Sequence, residues 1–151
     1  MTDYKLLKAQ LEALTGTERN PIPNLANASA LIFHTLSGLN WVGFYLMDKE
    51  ELLLGPFQGN TACIRIPKGR GVCGTAVAED RIYRVENVHE FEGHIACDSA
   101  SNSEIVIPIH SDGRIVGVLD IDSPLIGRFD EEDERGLLEL VKVLEKNCIW
   151  K

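Results

Sequence analysis

The chain is short of positive charge. It carries 15 lysines and arginines against 23 aspartates and glutamates, a net charge of −8. That balance argues against nucleic acid or an anionic membrane as the main partner. Long apolar runs are missing too: nothing approaches the roughly 18 consecutive apolar residues of a membrane span. The first residues, MTDYKLLKAQLEAL, are amphipathic and charged, unlike a secretory leader, so a cytoplasmic setting is expected. Cysteine is sparse, at four in 151 residues, and no CxxC pair occurs. A disulfide scaffold is thereby excluded, and a zinc ribbon or thioredoxin-like motif is disfavoured. The glycine-rich segment GRGVCG lacks the spacing of a phosphate-binding loop.

What is present suits a single domain over residues 1–151, with 44% apolar residues to build one core. Leu6, Leu7, Leu11 and Leu14 recur at helical spacing over about residues 3–14, and Gly16 ends that helix. Arg19 to Pro23 reads as a connector. Asn24 then caps a second helix whose buried face is Leu25, Ala28, Ile32 and Leu36, with Gly38 closing it. Strands follow at 41–47, 52–58 and 62–66. A short helix opens near Cys73, another strand covers 81–85, and a long irregular loop runs from Asn87 to Ser103. Residues 104–110 and 114–123 form a hairpin around Asp112-Gly113. A last helix starts near Asp130, with Leu137, Leu138, Val141 and Leu144 as its stripe. The expected fold class is α/β of the α+β type: a central, mostly antiparallel sheet of five or six strands. Terminal helices cover one face and loops cover a pocket on the other.

Strand parity locates that pocket. In WVGFYLM, Val42, Phe44 and Leu46 share one face, while Trp41, Gly43 and Tyr45 share the other. The first set reads as core. The second places two polar-tipped aromatics around a glycine, which leaves space over the sheet; two aromatics filling a second core fit the pattern equally well. In VLDIDS the carboxylates of Asp120 and Asp122 face one side.

Chemistry concentrates in the loops. Cys97 sits in GHIACDSASNSE, a small, polar stretch rather than the apolar surroundings of a packing cysteine. Cys63 and Cys73 lie in two other segments punctuated by glycine and proline, whereas Cys148 near the end reads as packing. Thiols brought together over a pocket suit redox work, one attacking an electrophile and another resolving the adduct as a disulfide. Inert cysteines fit the bare pattern as well, and a three-cysteine metal site is a weaker third reading. Glu104, Asp120 and Asp122 stand at the ends of apolar strands. Grouped carboxylates disfavour one another's ionisation, so one stays protonated as a general acid while the others hold an ammonium group.

The segments NWVGFYL, GPFQG, ACIRIPKGRGVCGTA, GHIACDSASNSEIVIPI and GVLDIDSP closely resemble the free methionine-(R)-sulfoxide reductases, which are single GAF-domain enzymes. The likeness spans nearly the whole chain and includes the spacing of the three cysteines. It implies Cys97 as the nucleophile, forming a sulfenic acid, with Cys63 or Cys73 as the resolving thiol. It implies Trp41 and Tyr45 against the methyl-thioether end of the substrate. Glu104, Asp120 and Asp122 would bind the amine and supply the proton. It further implies no bound cofactor and no metal, recycling by thioredoxin with NADPH through thioredoxin reductase, and free L-methionine (R)-sulfoxide as substrate. A homodimer is common in the family. The alternative is a non-catalytic, small-molecule-binding GAF sensor.

Overall fold

The computed structural model describes residues 1–95, 97 and 99–150. Asp98, a sequence neighbour of Cys97, lies outside them. The elements are α1 (Tyr4–Thr15), α2 (Pro21–Thr35), β1 (Trp41–Asp48), β2 (Glu51–Gly59), β3 (Arg65–Pro67), α3 (Gly71–Glu79), β4 (Tyr83–Val85), β5 (Ser103–Ser111), β6 (Arg114–Ser123) and α4 (Glu131–Asn147). A single 3-10 turn, Val88–Glu90, interrupts the loop before β5. The six strands form one sheet in the order β3-β2-β1-β6-β5-β4, and every neighbouring pair is antiparallel. The fold class is therefore α+β, as expected.

The hairpin forms as its turn residues demand. Asp112 and Gly113 both take positive φ, the backbone of a two-residue turn whose twist matches the flanking strands. That turn sets Ser111 opposite Arg114, and a bulge between Ile109 and His110 then shifts the ladder by one residue, which brings Glu104 opposite Asp122 and Val106 opposite Asp120. Strand β1 pairs with β6 on its other edge, placing Trp41 opposite Asp122 and Gly43 opposite Asp120.

Strands β1, β5 and β6 each feed two cores. Val42, Phe44, Ile105, Ile107, Leu119 and Ile121 are buried beneath α1, α2 and α4. Their neighbours of opposite parity, Trp41, Tyr45, Val106 and Val118, join Ile66, Cys73 and the apolar side of α3 in a smaller second cluster. Helix α4 is well bounded: Asp130 and Asp133 form a reciprocal capping box at its start.

Several local expectations need correction. Of the four leucines of α1 only Leu7 and Leu11 are buried; Leu6 and Leu14 are 55% and 46% exposed. Tyr4 completes the inner stripe, its hydroxyl donating to Asp133 at 2.6 Å. Helix α2 begins at Pro21 with Asn20 as its cap, so residues 21–23 are helical rather than a connector. Prolines in a first turn cost nothing in hydrogen bonds, because those N–H groups have no helical partner. Asn24 lies inside the helix, its amide donating to the Glu18 carbonyl at 2.8 Å. Gly38 has positive φ but stands beyond the extended cap residue Leu36. Strand β3 covers only residues 65–67, leaving Ala62 to Ile64 outside the ladder. The reading of Cys148 as a packing cysteine holds: it caps α4 and is buried in the helix-side core.

Candidate functional site

The site lies on the face of the sheet away from α1, α2 and α4. Three loops and the start of α3 close over it. Its cavity is lined by Trp41, Tyr45, Cys73, Cys97, Glu104, Asp120 and Asp122, together with Ala62, Ile66, Arg70, Gly71, Val72, His94, Ile95 and Ser101. The thiols and carboxylates singled out in the sequence thus meet at one place.

Cys63, from the loop between β2 and β3, is bonded to Cys97, from the loop before β5; their Cα atoms are 5.4 Å apart. Cys73 is left as a thiol in the first turn of α3. Its Sγ donates to Glu104 Oε2 at 4.0 Å. A three-thiolate metal site is incompatible with this arrangement, since two of the three sulfurs are joined to each other.

The carboxylates cluster because of the ladder. Directly opposed residues in an antiparallel pair stand about 5 Å apart, and diagonal ones remain within reach of longer side chains. Glu104 and Asp122 are opposed, and Asp120 lies two steps along the same face. Like charges so placed repel, and burial removes the water that would screen them. Desolvation therefore pushes Glu104 well above its ordinary carboxyl range, and the neighbouring Asp120 and Asp122 push further in the same direction. Burial also raises Asp120, opposed by hydrogen bonds from Glu104, Cys73 and Asp122. The result is a cluster that gives up its protons at higher pH than free carboxyls do, with Glu104 shifted in that direction by both burial and its neighbours. Asp120 Oδ1 is buried with no hydrogen-bond partner among the described residues.

Cys73 is equally constrained. Burial, then Asp120 and Glu104, raises its thiol well above the usual range. It is a proton-bearing group at neutral pH and a poor nucleophile. His94 does not provide a cation in compensation: burial and its neighbour His89 lower its affinity for a proton. His89 and His110 are engaged elsewhere, with Asn102 at 2.9 Å and Asp80 at 2.6 Å respectively.

The two aromatics are both core and lining. Trp41 and Tyr45 are each 2% exposed. The space above Gly43 is not open; the Trp41 ring fills it, stacked on Phe57 at 5.2 Å and Tyr45 at 5.9 Å. A Cβ on Gly43 would lie 2.6 Å from Trp41 Cη2 and 2.4 Å from Phe57 Cβ, so only glycine fits. Their polar tips reach the loop that carries Cys63. Trp41 Nε1 donates to the Asn60 carbonyl at 3.0 Å, and the Tyr45 hydroxyl donates to the Cys63 carbonyl at 2.9 Å. Burial, with Asp120 and Cys73 contributing, raises the Tyr45 phenol, which remains a donor.

Sequence reading missed the start of α3 as part of the site. Its cap residue, Arg70, makes no side-chain cap bond, and Arg70, Gly71 and Val72 line the cavity. A helix N-terminus presents N–H groups and a partial positive charge to an anion. The signal was GRGVCG itself, which marks a helix entry even though it is no phosphate loop. Ser101 was also missed; its hydroxyl accepts from the Asn40 amide at 3.1 Å, and it sits on the cavity wall.

A GAF domain is matched over residues 22–146. The chain is 56% identical over 143 residues to a protein of Escherichia coli named free methionine-R-sulfoxide reductase, covering 95% of this chain and 87% of that one. Among solved structures, the reduced form of the Staphylococcus aureus fRMsr superposes with a TM-score of 0.95 at 54% identity, covering 97% of this chain and 96% of that one. The free methionine-R-sulfoxide reductase of Neisseria meningitidis, in complex with its substrate, superposes with a TM-score of 0.92 at 49% identity, covering 95% and 87%.

Proposed function

The chain belongs to the GAF family and, within it, to the free methionine-R-sulfoxide reductases, and on that premise we propose how its side chains divide the work. The reaction is the reduction of free L-methionine (R)-sulfoxide to L-methionine, which makes the protein an oxidoreductase acting on sulfur. The steps and roles that follow are our reading.

Substrate binds as a zwitterion between two regions of opposite polarity. Its ammonium group lies against Asp120 and Asp122, and its carboxylate faces the start of α3 and Arg70. The methyl-thioether end packs on Trp41 and Tyr45. A cavity closed by three loops admits an amino acid and excludes a polypeptide, which accounts for action on the free compound.

Cys97 attacks the sulfoxide sulfur as a thiolate. The oxygen passes to Cys97 as a sulfenic acid and methionine leaves, so sulfur in the substrate is reduced and Cys97 is oxidised. Glu104, in its protonated form, is the acid that neutralises the sulfoxide oxygen. Cys63 then attacks the sulfenic sulfur, a disulfide forms, and the oxygen departs as water. Thioredoxin reduces that disulfide, drawing on NADPH through thioredoxin reductase, and no bound cofactor takes part.

The observation that carries this reading is the Cys63–Cys97 bond at a cavity lined by the buried carboxylates of Glu104 and Asp120 and the half-buried one of Asp122. It also favours Cys63 over Cys73 as the resolving thiol, since Cys73 is turned toward Glu104. A sensor that only binds has no use for such a bond, and that alternative is not favoured. The decisive experiment supplies free methionine R- and S-sulfoxide with thioredoxin, its reductase and NADPH. Turnover of the R form alone is expected; turnover of neither, or equal turnover of both, overturns the reading. No helix among the described residues is long and apolar enough to cross a membrane, and a cytoplasmic setting with a thioredoxin pool is where the proposed cycle would run.

A further inference from the structure

Cys73 has no redox role in the proposed cycle, yet it is buried among groups that bind metal. Its sulfur and one carboxylate oxygen from each of Glu104 and Asp120 all lie within 4.8 Å of one another. The three residues are 4%, 7% and 6% exposed. An acidic cluster alone would not indicate a ligand. Here Asp120 Oδ1 is buried without a hydrogen-bond partner among the described residues, which leaves one lone-pair donor unclaimed beside the cavity.

We propose that a thiophilic divalent cation, zinc in the first instance, binds at Cys73, Glu104 and Asp120 and there displaces the substrate's ammonium group. The donor set has the chemistry zinc prefers: one thiolate, two carboxylate oxygens and a fourth position open to the cavity. Zinc bonds of about 2.3 Å to sulfur and 2.1 Å to oxygen place tetrahedral S and O donors about 3.6 Å apart. The Cys73–Glu104 separation is 4.0 Å, so closure needs only a small rotation of side chains. Binding transfers the Cys73 proton and any proton held by the carboxylates to solvent; no electron moves. Magnesium is a poor fit, because it demands six oxygen ligands in near-octahedral geometry. The metal here is a competitor for the cavity and not a cofactor. Only the displacement of substrate rests on the proposed function; the cation site itself stands on the side chains.

The test uses the full chain in its disulfide form, so that Cys63 and Cys97 cannot donate. Titration with cadmium should give a saturable, one-to-one thiolate-to-metal charge-transfer band, reversed by zinc and untouched by excess magnesium. Cys73→Ser should lose the band and Cys148→Ser should keep it, with circular dichroism checking that each is folded. Asp120→Asn supplies a second variant and should weaken cadmium binding at least tenfold. A band that survives Cys73→Ser, disappears in Cys148→Ser, or never forms in the parent protein overturns the site. Displacement is read separately by zinc calorimetry on the Cys63→Ser/Cys97→Ser double variant, which holds sulfoxide without turning it over and leaves neither of those thiols to bind metal. At sulfoxide ten times its own Kd, the apparent zinc Kd should rise about tenfold. An unchanged zinc Kd overturns the displacement while leaving the cation site in place.

Discussion

The two faces of one sheet do opposite jobs. Beneath α1, α2 and α4 the side chains are almost wholly aliphatic, with Phe44 the one buried ring that β1 sends there. On the other side the same strands present Trp41, Tyr45, Glu104 and Asp120, and a thiol faces the acids. The helix side is stabilising because burial of apolar area needs no partner chemistry. The cavity side accepts like charges at close quarters, which oppose folding and are retained for what they bind and protonate. One polypeptide supports both because successive residues of a strand point in opposite directions.

Substitutions that hit one face at a time should separate these roles. The largest effect is expected from Cys97→Ser. Methionine release should be abolished even in a single turnover, while the thermal midpoint of the reduced protein stays close to that of reduced parent. Residual single-turnover release would contradict Cys97 as nucleophile. On the opposite face, Phe44→Ala should cost about 3–5 kcal/mol by urea unfolding, through lost burial and the cavity left behind. If the remaining folded protein has normal turnover, the division of labour between the faces holds.

Glu104→Gln should cut turnover by about 10²-fold or more, the usual weight of a positioned acid, and yet raise stability near neutral pH. The sign follows from the raised carboxyl. Its proton is held more tightly in the folded chain than in the unfolded one, where the ordinary value of 4.5 applies. The parent protein is therefore favoured below that value and loses stability as pH climbs toward the folded-state value. The amide variant should flatten that decline, measured as unfolding free energy from pH 4 to pH 8. A decline of unchanged slope would assign the raised carboxyl elsewhere. The smallest effect is expected from Tyr45→Phe. Loss of one hydrogen bond to the Cys63 carbonyl should cost about 1 kcal/mol and slow disulfide formation more than methionine release, seen by quenched-flow thiol counting. Equal slowing of both steps would show that the phenol serves substrate rather than the loop.

The sequence made the sheet readable because a period of two survives wherever one face is buried. Val42, Phe44 and Leu46 against Trp41 and Tyr45, and Leu119 and Ile121 against Asp120 and Asp122, divide as the pattern implies. The grouping of the three acids depends on the Asp112-Gly113 turn together with a bulge beside His110 that no local pattern announces; the register of the turn alone would set Glu104 opposite Ile121. Helix α1 was less legible. Four leucines spread over more of its surface than its neighbours cover, and the inner pair was decided by Tyr4 and α4, which no local pattern records. The pairing of Cys63 with Cys97 was open for a related reason. Both sit in loops, whose paths over the sheet depend on tertiary bonds such as that from Tyr45 to the Cys63 carbonyl. Pro21 and Pro23 misled because proline reads as a helix breaker in the interior and is harmless in a first turn.

The turn at Asp112 and Gly113 has a remote consequence. It lies at the opposite end of its hairpin from Glu104 and Asp122, yet together with the bulge beside His110 it acts as the ruler for both. An extra residue there, unless absorbed as a bulge, would offset one strand by a single step and swing its acids toward the aliphatic layer, where no base or solvent could receive them. Tags, permuted termini and inserted sensors therefore belong at other bends of this chain, however exposed this one is.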